Sequence, residues 1–239
     1  MKSLMSALAF TTAIRLGPSG SPSRWMAAWL WIPGGLAGLI WALAIRLFGP
    51  NAYGLGLALT GEAVLTGARP WRGLAKTFDG WATPRDHRSD IRRQPAIGPV
   101  GAVFIALAMV LLWAGVRHNA SLSSWVWVMP PLWARAAMAW GMSWRGADPA
   151  DLDYRALLRT TEGGLGSWVP LIVALGLGVV VSGFEGVDVF GASLILTGLF
   201  LLWGRKLFGG LNQEIVNAAV IVMEVLALFF LAAFSAPPL

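Results

Sequence analysis

At 239 residues, with 56% hydrophobic and 13% charged positions and a mean hydropathy of +0.65, the chain is too apolar for a soluble domain, in which about a quarter of residues are charged. It has no cysteine, which excludes disulfides and thiolate metal sites. Basic residues outnumber acidic ones, 18 to 12, and are nearly all Arg; in so apolar a chain this fits positively charged cytoplasmic connections, and no nucleic-acid partner is expected.

In chain order, residues 1–16 carry Lys2 and a short apolar run that resembles a weak signal peptide. No small-residue cleavage site follows and Arg15 interrupts the run, so residues 1–24 are expected as a retained, partly amphipathic cytoplasmic segment. Gly17 to Ser23 (GPSGSPS) reads as a loop. Seven apolar segments follow, where a membrane span needs roughly 20 such residues. Five are clear: Trp25 to Leu47, Ile97 to Val116, Leu122 to Met142, Ser167 to Phe184 and Glu214 to Phe234. Two are weaker: Asn51 to Gly67, which is short and contains Glu62, and Val187 to Gly204. Short spans are tolerated when neighbours bury them. The expected fold is a single all-α membrane domain, a polytopic bundle of about seven transmembrane helices.

Charge tests that count. With a cytoplasmic N-terminus, the N-terminal segment and the connections 68–96, 143–166 and 205–213 share one side. That side holds Lys2, Arg15, Arg24, Arg69, Arg72, Lys76, Arg85, Arg88, Arg92, Arg93, Arg145, Arg155, Arg159, Arg205 and Lys206, fifteen residues against Arg46 and Arg117 on the other. Such a bias places the chain in the cytoplasmic (inner) membrane with its N-terminus inside and its C-terminus outside. Lipids are the first expected partner.

The fourteen Trp residues, among them Trp41, Trp127 and Trp133, mostly fall toward segment ends, where indole favours the membrane interface. The other reading is an aromatic enclosure for a flat ligand. Gly34, Gly35 and Gly38, with Gly176 and Gly178, allow close helix packing.

The stretch Leu65 to Gly101 is the most polar interval and the first place to look for a chemical site. It also carries a resemblance. Residues 65–80 (LTGARPWRGLAKTFDG) match the LTGGLHLDGLADTADG signature of cobalamin synthases at Leu65, Thr66, Gly67, Gly73, Leu74, Ala75, Thr77, Asp79 and Gly80. Residues 85–101 keep Ile91, Ile97, Gly98 and Gly101 of the next family stretch; MPPLWARAAM at 129–138 keeps its Arg as Arg135. LWIPGGLAGLI at 30–40 and GGLNQEIVNAAVIVME at 209–224 resemble the family's early and last helices. The chain is thus similar to cobalamin synthases, or adenosylcobinamide-GDP ribazoletransferases. That resemblance implies a Mg2+-dependent step that joins a ribazole unit to cobinamide-GDP with loss of GMP.

The departures concern the metal. Where the family motif has one His and three Asp, this chain has Pro70, Arg72, Lys76 and Asp79. Positions 72, 76 and 79 are related as i, i+4 and i+7 and share a helical face. Three carboxylates there would cradle Mg2+; with Arg72 and Lys76 the formal charge of that face passes from −3 to +1, and Asp79 is expected to pair with one of them. Gln94 and Pro95 replace an Asp and a Ser, and Gln213, Glu214, Ile215 and Ile221 alter the last helix. Glu214, Asn217 and Glu224 lie broadly on one face there, either as a residual polar site or with Glu214 as a mere entrance residue. Arg135 and Glu62 are the remaining ionisable residues inside expected spans, where charge is costly and normally paired. Arg135 is read either as an inherited phosphate contact or as an internal ion pair with Glu62 or Glu224.

Other chemistries find little support. His87 and His118 fall on opposite expected sides of the membrane. No phosphate-binding glycine loop follows a strand pattern, and no serine has a positioned base. Arg72, Lys76, Arg85, Arg88, Arg92 and Arg93 form a candidate surface for anionic headgroups or an acidic partner, or a solvated face. Two functions stay open. One is a catalytically inactive member repurposed as a structural subunit of a larger membrane complex, with no cofactor. The other is an active transferase relying on Asp79, Glu214, Glu224 and Arg135, with Asp79 and Glu214 left as candidates for Mg2+. A corrinoid or other flat-ligand binder is a third option.

Overall fold

A computed structural model describes residues 2–14, 23, 25–144, 146–148, 151, 154, 155, 157 and 164–234, without the side chains of Ser89, Arg92 and Arg93. Most of the expected 17–23 loop, Arg15, Arg24, Arg145, Arg159 and the last five residues lie outside the described residues. In lipid every backbone polar group must be satisfied within the chain, and helices do this segment by segment. The described residues accordingly form α1 (Lys2–Thr11), α2 (Trp31–Phe48), α3 (Ala52–Thr66), α4 (Arg69–Ala82), α5 (Arg88–Arg93), α6 (Pro99–His118), α7 (Met129–Met142), α8 (Val169–Ser182), α9 (Glu185–Phe208) and α10 (Gln213–Phe234). Among them the sole β pairing is an isolated parallel bridge between Ala147 and Leu211.

Helix ends follow local chemistry. Asn51 caps α3, its side-chain oxygen accepting from the amides of Tyr53 and Gly54 at 2.9 and 3.1 Å. Proline stands in the first turn of α4, α6, α7 and α8, where its missing N–H costs nothing.

All seven apolar segments are helical, but their ranking changes. Five helices have the length and apolarity to cross a membrane: Ala27–Phe48, Pro99–His118, Leu165–Ser182, Glu185–Phe208 and Gln213–Phe234. The segment expected as weak at 187–204 is thus one of the long ones. The segment expected as clear at 122–142 is split into a 3-10 turn, Ser124–Val128, and the 14-residue α7. Pro130 and Pro131 explain the break, since proline starts an α-helix readily and cannot continue one. At 14 and 15 residues, α7 and α3 extend only about 21–23 Å, short of the roughly 30 Å hydrocarbon core.

The short α7 is the centre of the bundle. Each of its residues except Trp140 is buried, and it packs against α2, α8, α9 and α10. Gly34 and Gly38 let α2 approach it: a Cβ at Gly38 would stand 2.3 Å from the Val128 carbonyl oxygen. Gly35 and Gly176, by contrast, face open space. Trp41, Trp127 and Trp133 are core residues rather than interfacial ones, while Trp25, Trp29, Trp113, Trp125 and Trp168 are exposed.

The polar connections meet at one end. Arg88 donates from Nη1 to the Leu207 carbonyl at 2.8 Å, and the Ala147–Leu211 bridge ties residues 146–148 to the turn before α10. Arg69 Nη1 reaches the Ala9 carbonyl at 3.0 Å, which brings α1 to the same end. Residues 68–96 are not simply a loop, because α4 buries Trp71, Leu74, Ala75 and Thr77 against its neighbours.

Candidate functional site

α4 carries the positions where the sequence placed the eroded metal motif. Gly67 and Ala68 both adopt left-handed backbone, φ 63° and 55°, and this turn redirects the chain from α3 into α4. α10 covers one flank of α4 at Gly73, where a Cβ would stand 2.6 Å from the Glu214 carbonyl oxygen. α6 covers the other flank at Ala75 and Asp79. The expected single face is therefore divided: the Arg72 side chain is 57% exposed, whereas Lys76 and Asp79 are buried.

Each of the three has a different partner. Arg72 Nη2 pairs with Glu214 Oε1 at 3.2 Å, joining α4 to the start of α10. The Lys76 ammonium donates to the Ile91 carbonyl at 3.0 Å and to the Ala96 carbonyl. Asp79 pairs with neither cation, contrary to the sequence expectation. Its Oδ2 accepts from the Gly98 amide and its Oδ1 from the Gly101 amide, both at 2.7 Å. These are orphan donors at the start of α6, and a carboxylate there also complements the positive end of the helix dipole. Gly101 makes this possible, since a Cβ at that position would lie 2.6 Å from the Ala75 carbonyl oxygen and 2.7 Å from Asp79 Oδ2. The retained glycines thus bring α6 close enough for Asp79 to cap it.

A cavity of about 320 Å3 opens beside Lys76 and Asp79, with Thr83, Ile91, Gln94 and Ile97 among its walls. Mg2+ takes near-octahedral oxygen ligands, including one or two carboxylates. Here both Asp79 oxygens face amides, and the next ionisable group on the face is an ammonium. Among the described residues no group of three or more His, Cys, Asp or Glu side chains is placed to hold a metal. The residues present do not fit Mg2+ at this place.

The second polar centre is sealed inside the bundle. Arg135 Nη2 donates to Glu62 Oε1 at 2.6 Å and Nη1 to Glu224 Oε1 at 2.7 Å. Trp41 Nε1 donates to Glu62 Oε2 at 2.8 Å. All four side chains are essentially inaccessible. Of the two readings of Arg135, the geometry supplies the ion pair, with both acids at once. Glu224 lies ten residues beyond Glu214, about 15 Å along an α-helix. Asp79, Glu214, Glu224 and Arg135 therefore divide among three partnerships: Glu214 with Arg72, Asp79 with the start of α6, and Glu224 with Arg135.

The decisive comparison is with protein-family models, where the one described as cobalamin-5-phosphate synthase matches residues 3–232. The chain belongs to the cobalamin-5-phosphate synthase family. No curated protein and no solved structure matches it.

In this family member the candidate basic surface is uneven. Arg85 is exposed. Arg88 is engaged, its Nε donating to the Gly80 and Thr83 carbonyls, both at 3.1 Å, beside its bond to Leu207. Lys76 is not a surface residue, because its ammonium is turned inward onto two carbonyls. The side chains of Arg92 and Arg93 lie outside the described residues. His87 sits against Asp86 at 3.3 Å, while His118 ends α6.

Residues that sequence reading passed over complete this end of the synthase-family fold. Asp148 Oδ2 accepts from Asn212 Nδ2 at 3.4 Å, and Asn212 Oδ1 accepts from the Ile215 amide at 3.0 Å, capping α10. Asp151 accepts from the Tyr154 and Gln213 amides at 3.0 and 3.2 Å. Burial, reinforced by Asp151, pushes the Tyr154 phenol up. The available signal was the run of Asp residues in GADPADLDY, a composition that favours side-chain-capped turns.

Proposed function

We propose that this cobalamin-synthase-fold protein has lost the Mg2+-dependent transfer and serves as a structural subunit of a larger assembly in the cytoplasmic membrane. One observation carries the reading. Lys76, at a position where the family motif has an acid, is buried with its ammonium spent on the Ile91 and Ala96 carbonyls. A cation fixed there opposes divalent-metal binding by simple repulsion. In this reading seven helices span the bilayer, with α3 and α7 shielded by their neighbours and the joined basic connections facing the cytoplasm. The N-terminus is then inside and the C-terminus outside.

The test is rescue of a strain lacking its own cobalamin synthase. Expression of this chain is expected to leave it dependent on supplied cobalamin, and restored synthesis would remove the proposal. The subunit role is tested by mild detergent extraction, where the chain is expected to travel with other membrane proteins. Migration of the chain with lipid alone would remove that part.

A second reading has its own support in the family match, which runs over residues 3–232. In that reading the transferase is active and Asp79, Glu214, Glu224 and Arg135 carry it. Asp79→Ala or Glu214→Ala would then abolish turnover of adenosylcobinamide-GDP, and undiminished turnover in both would exclude it.

A further inference from the structure

Two carboxylates share one guanidinium at the centre of the bundle. Arg135 remains charged in any protein environment, so Glu62 and Glu224, if both ionised, leave the buried cluster with one uncompensated negative charge. An unpaired charge in so dry a place is strongly unfavourable. The hydrogen-bond pattern shows where the imbalance falls. Both Glu62 oxygens have donors, Arg135 Nη2 and Trp41 Nε1. Glu224 Oε1 has Arg135 Nη1. Glu224 Oε2 is buried with no partner among the described residues, and the Glu62 and Glu224 carboxylates are held side by side on the two terminal nitrogens of the one guanidinium.

Among the described residues, neighbouring elements bring no cation to offset that charge. Arg46 is near the end of α2, Arg117 and His118 end α6, and Glu185, Asp188, Arg205 and Lys206 lie in the end turns of α9, all of them exposed. α7 has no other ionisable residue and α8 has none, and the one other on α3, Tyr53, is exposed. α4 meets α10 near Glu214, where Arg72 is already paired; its buried Lys76 is held by the Ile91 and Ala96 carbonyls, its Asp79 by the Gly98 and Gly101 amides, and its Arg69 by the Ala9 and Phe10 carbonyls. A bound metal ion would need several oxygen ligands around Glu224 Oε2, and the described residues supply no such group. A proton needs only two oxygens.

We propose that Glu62, Arg135 and Glu224 form a proton-binding site in the interior of the bundle, with one proton held on Glu224 Oε2 and shared with the Glu62 carboxylate. The bound proton makes the cluster neutral and turns an orphaned acceptor into a donor. The site joins α3, α7 and α10 through a single guanidinium. It is independent of whether the family reaction is retained.

Infrared spectroscopy of the full chain in lipid nanodiscs at neutral pH tests this. The spectrum is expected to contain the carbonyl stretch of a protonated carboxylic acid, shifted in D2O and shifted again when the protein is labelled with 13C-glutamate. Glu224→Gln and Glu62→Gln are each expected to remove the band, because either leaves one carboxylate neutralised by Arg135. Absence of the band in the unsubstituted protein, or its persistence in either variant, overturns the proposal. Should a variant fail to fold, the labelled native chain decides: a band that ignores the glutamate label comes from another acid and overturns the site.

Discussion

Lys76 donates to the Ile91 carbonyl oxygen across 3.0 Å and so ties α4 to α5. Its second acceptor, the Ala96 carbonyl, ties α4 to the approach to α6 as well. Lys76→Met keeps the apolar stem but orphans two carbonyls, and is expected to cost about 1–3 kcal/mol. Lys76→Asp turns a carboxylate onto those carbonyls, one helical turn from Asp79, and is expected to cost more, about 3–5 kcal/mol. Thermal unfolding in detergent micelles with and without Mg2+ measures both. Stabilisation of the unsubstituted protein by Mg2+ would contradict the exclusion of the ion by the Lys76 ammonium.

Asp79 is expected to behave as a helix cap supplied from another helix. Asp79→Ala leaves the Gly98 and Gly101 amides at the start of α6 without their acceptors, and should destabilise the protein by about 1–2 kcal/mol. Asp79→Asn retains one acceptor oxygen but loses the charge that complements the helix dipole, and should fall between the two. Hydrogen exchange at Gly98 and Gly101 reports the same loss locally. Unchanged exchange in Asp79→Ala would mean that the carboxylate does not hold these amides in solution.

Helix positions were legible because lipid demands long apolar runs, and family order was legible because the glycines that permit close approach, Gly73 and Gly101, kept their places. The division at 122–142 was also readable in principle, from Pro130 and Pro131. The partners of charged residues were not. Asp79 looks from its spacing like a partner for Lys76, yet the competing donors lie 19 and 22 residues away at the start of α6. Helical periodicity places a residue on a face; it does not say which neighbouring backbone will reach that face. Trp41 shows the same limit. Its position suited an interfacial belt until the burial of Glu62 required a donor.

Arg135 holds α3 and α10 through separate nitrogens of one planar group. Arg135→Met removes the counter-charge from the buried Glu62–Glu224 pair and is expected to destabilise by about 3–5 kcal/mol. Arg135→Lys should recover only part of this, because a point-like ammonium does not reproduce the fixed fork of the guanidinium. Glu224→Gln is expected to be much milder, since the remaining pair is balanced. Apparent melting temperatures of the three variants in one detergent rank them. A phosphate-contact role for Arg135 without a structural one would leave its substitution harmless to stability.

Tyr154 supplies a pH dependence outside the spanning helices. Its side chain is buried, and the hydroxyl has no hydrogen-bond partner among the described residues. Tyr154→Phe removes a buried polar atom without removing the ring, so it should be neutral or stabilising, by up to about 1–3 kcal/mol. Burial, reinforced by Asp151, raises the phenol above its ordinary value, which favours the neutral form in the folded state. For a raised group the contribution to stability is fully present below the unfolded value, about pH 10, and is lost as pH rises through the folded value. The native chain should therefore lose stability more steeply above about pH 10 than Tyr154→Phe does. Denaturant midpoints measured for both proteins across the alkaline range check this, and parallel curves would show that Tyr154 ionises as freely in the folded chain as in the unfolded one.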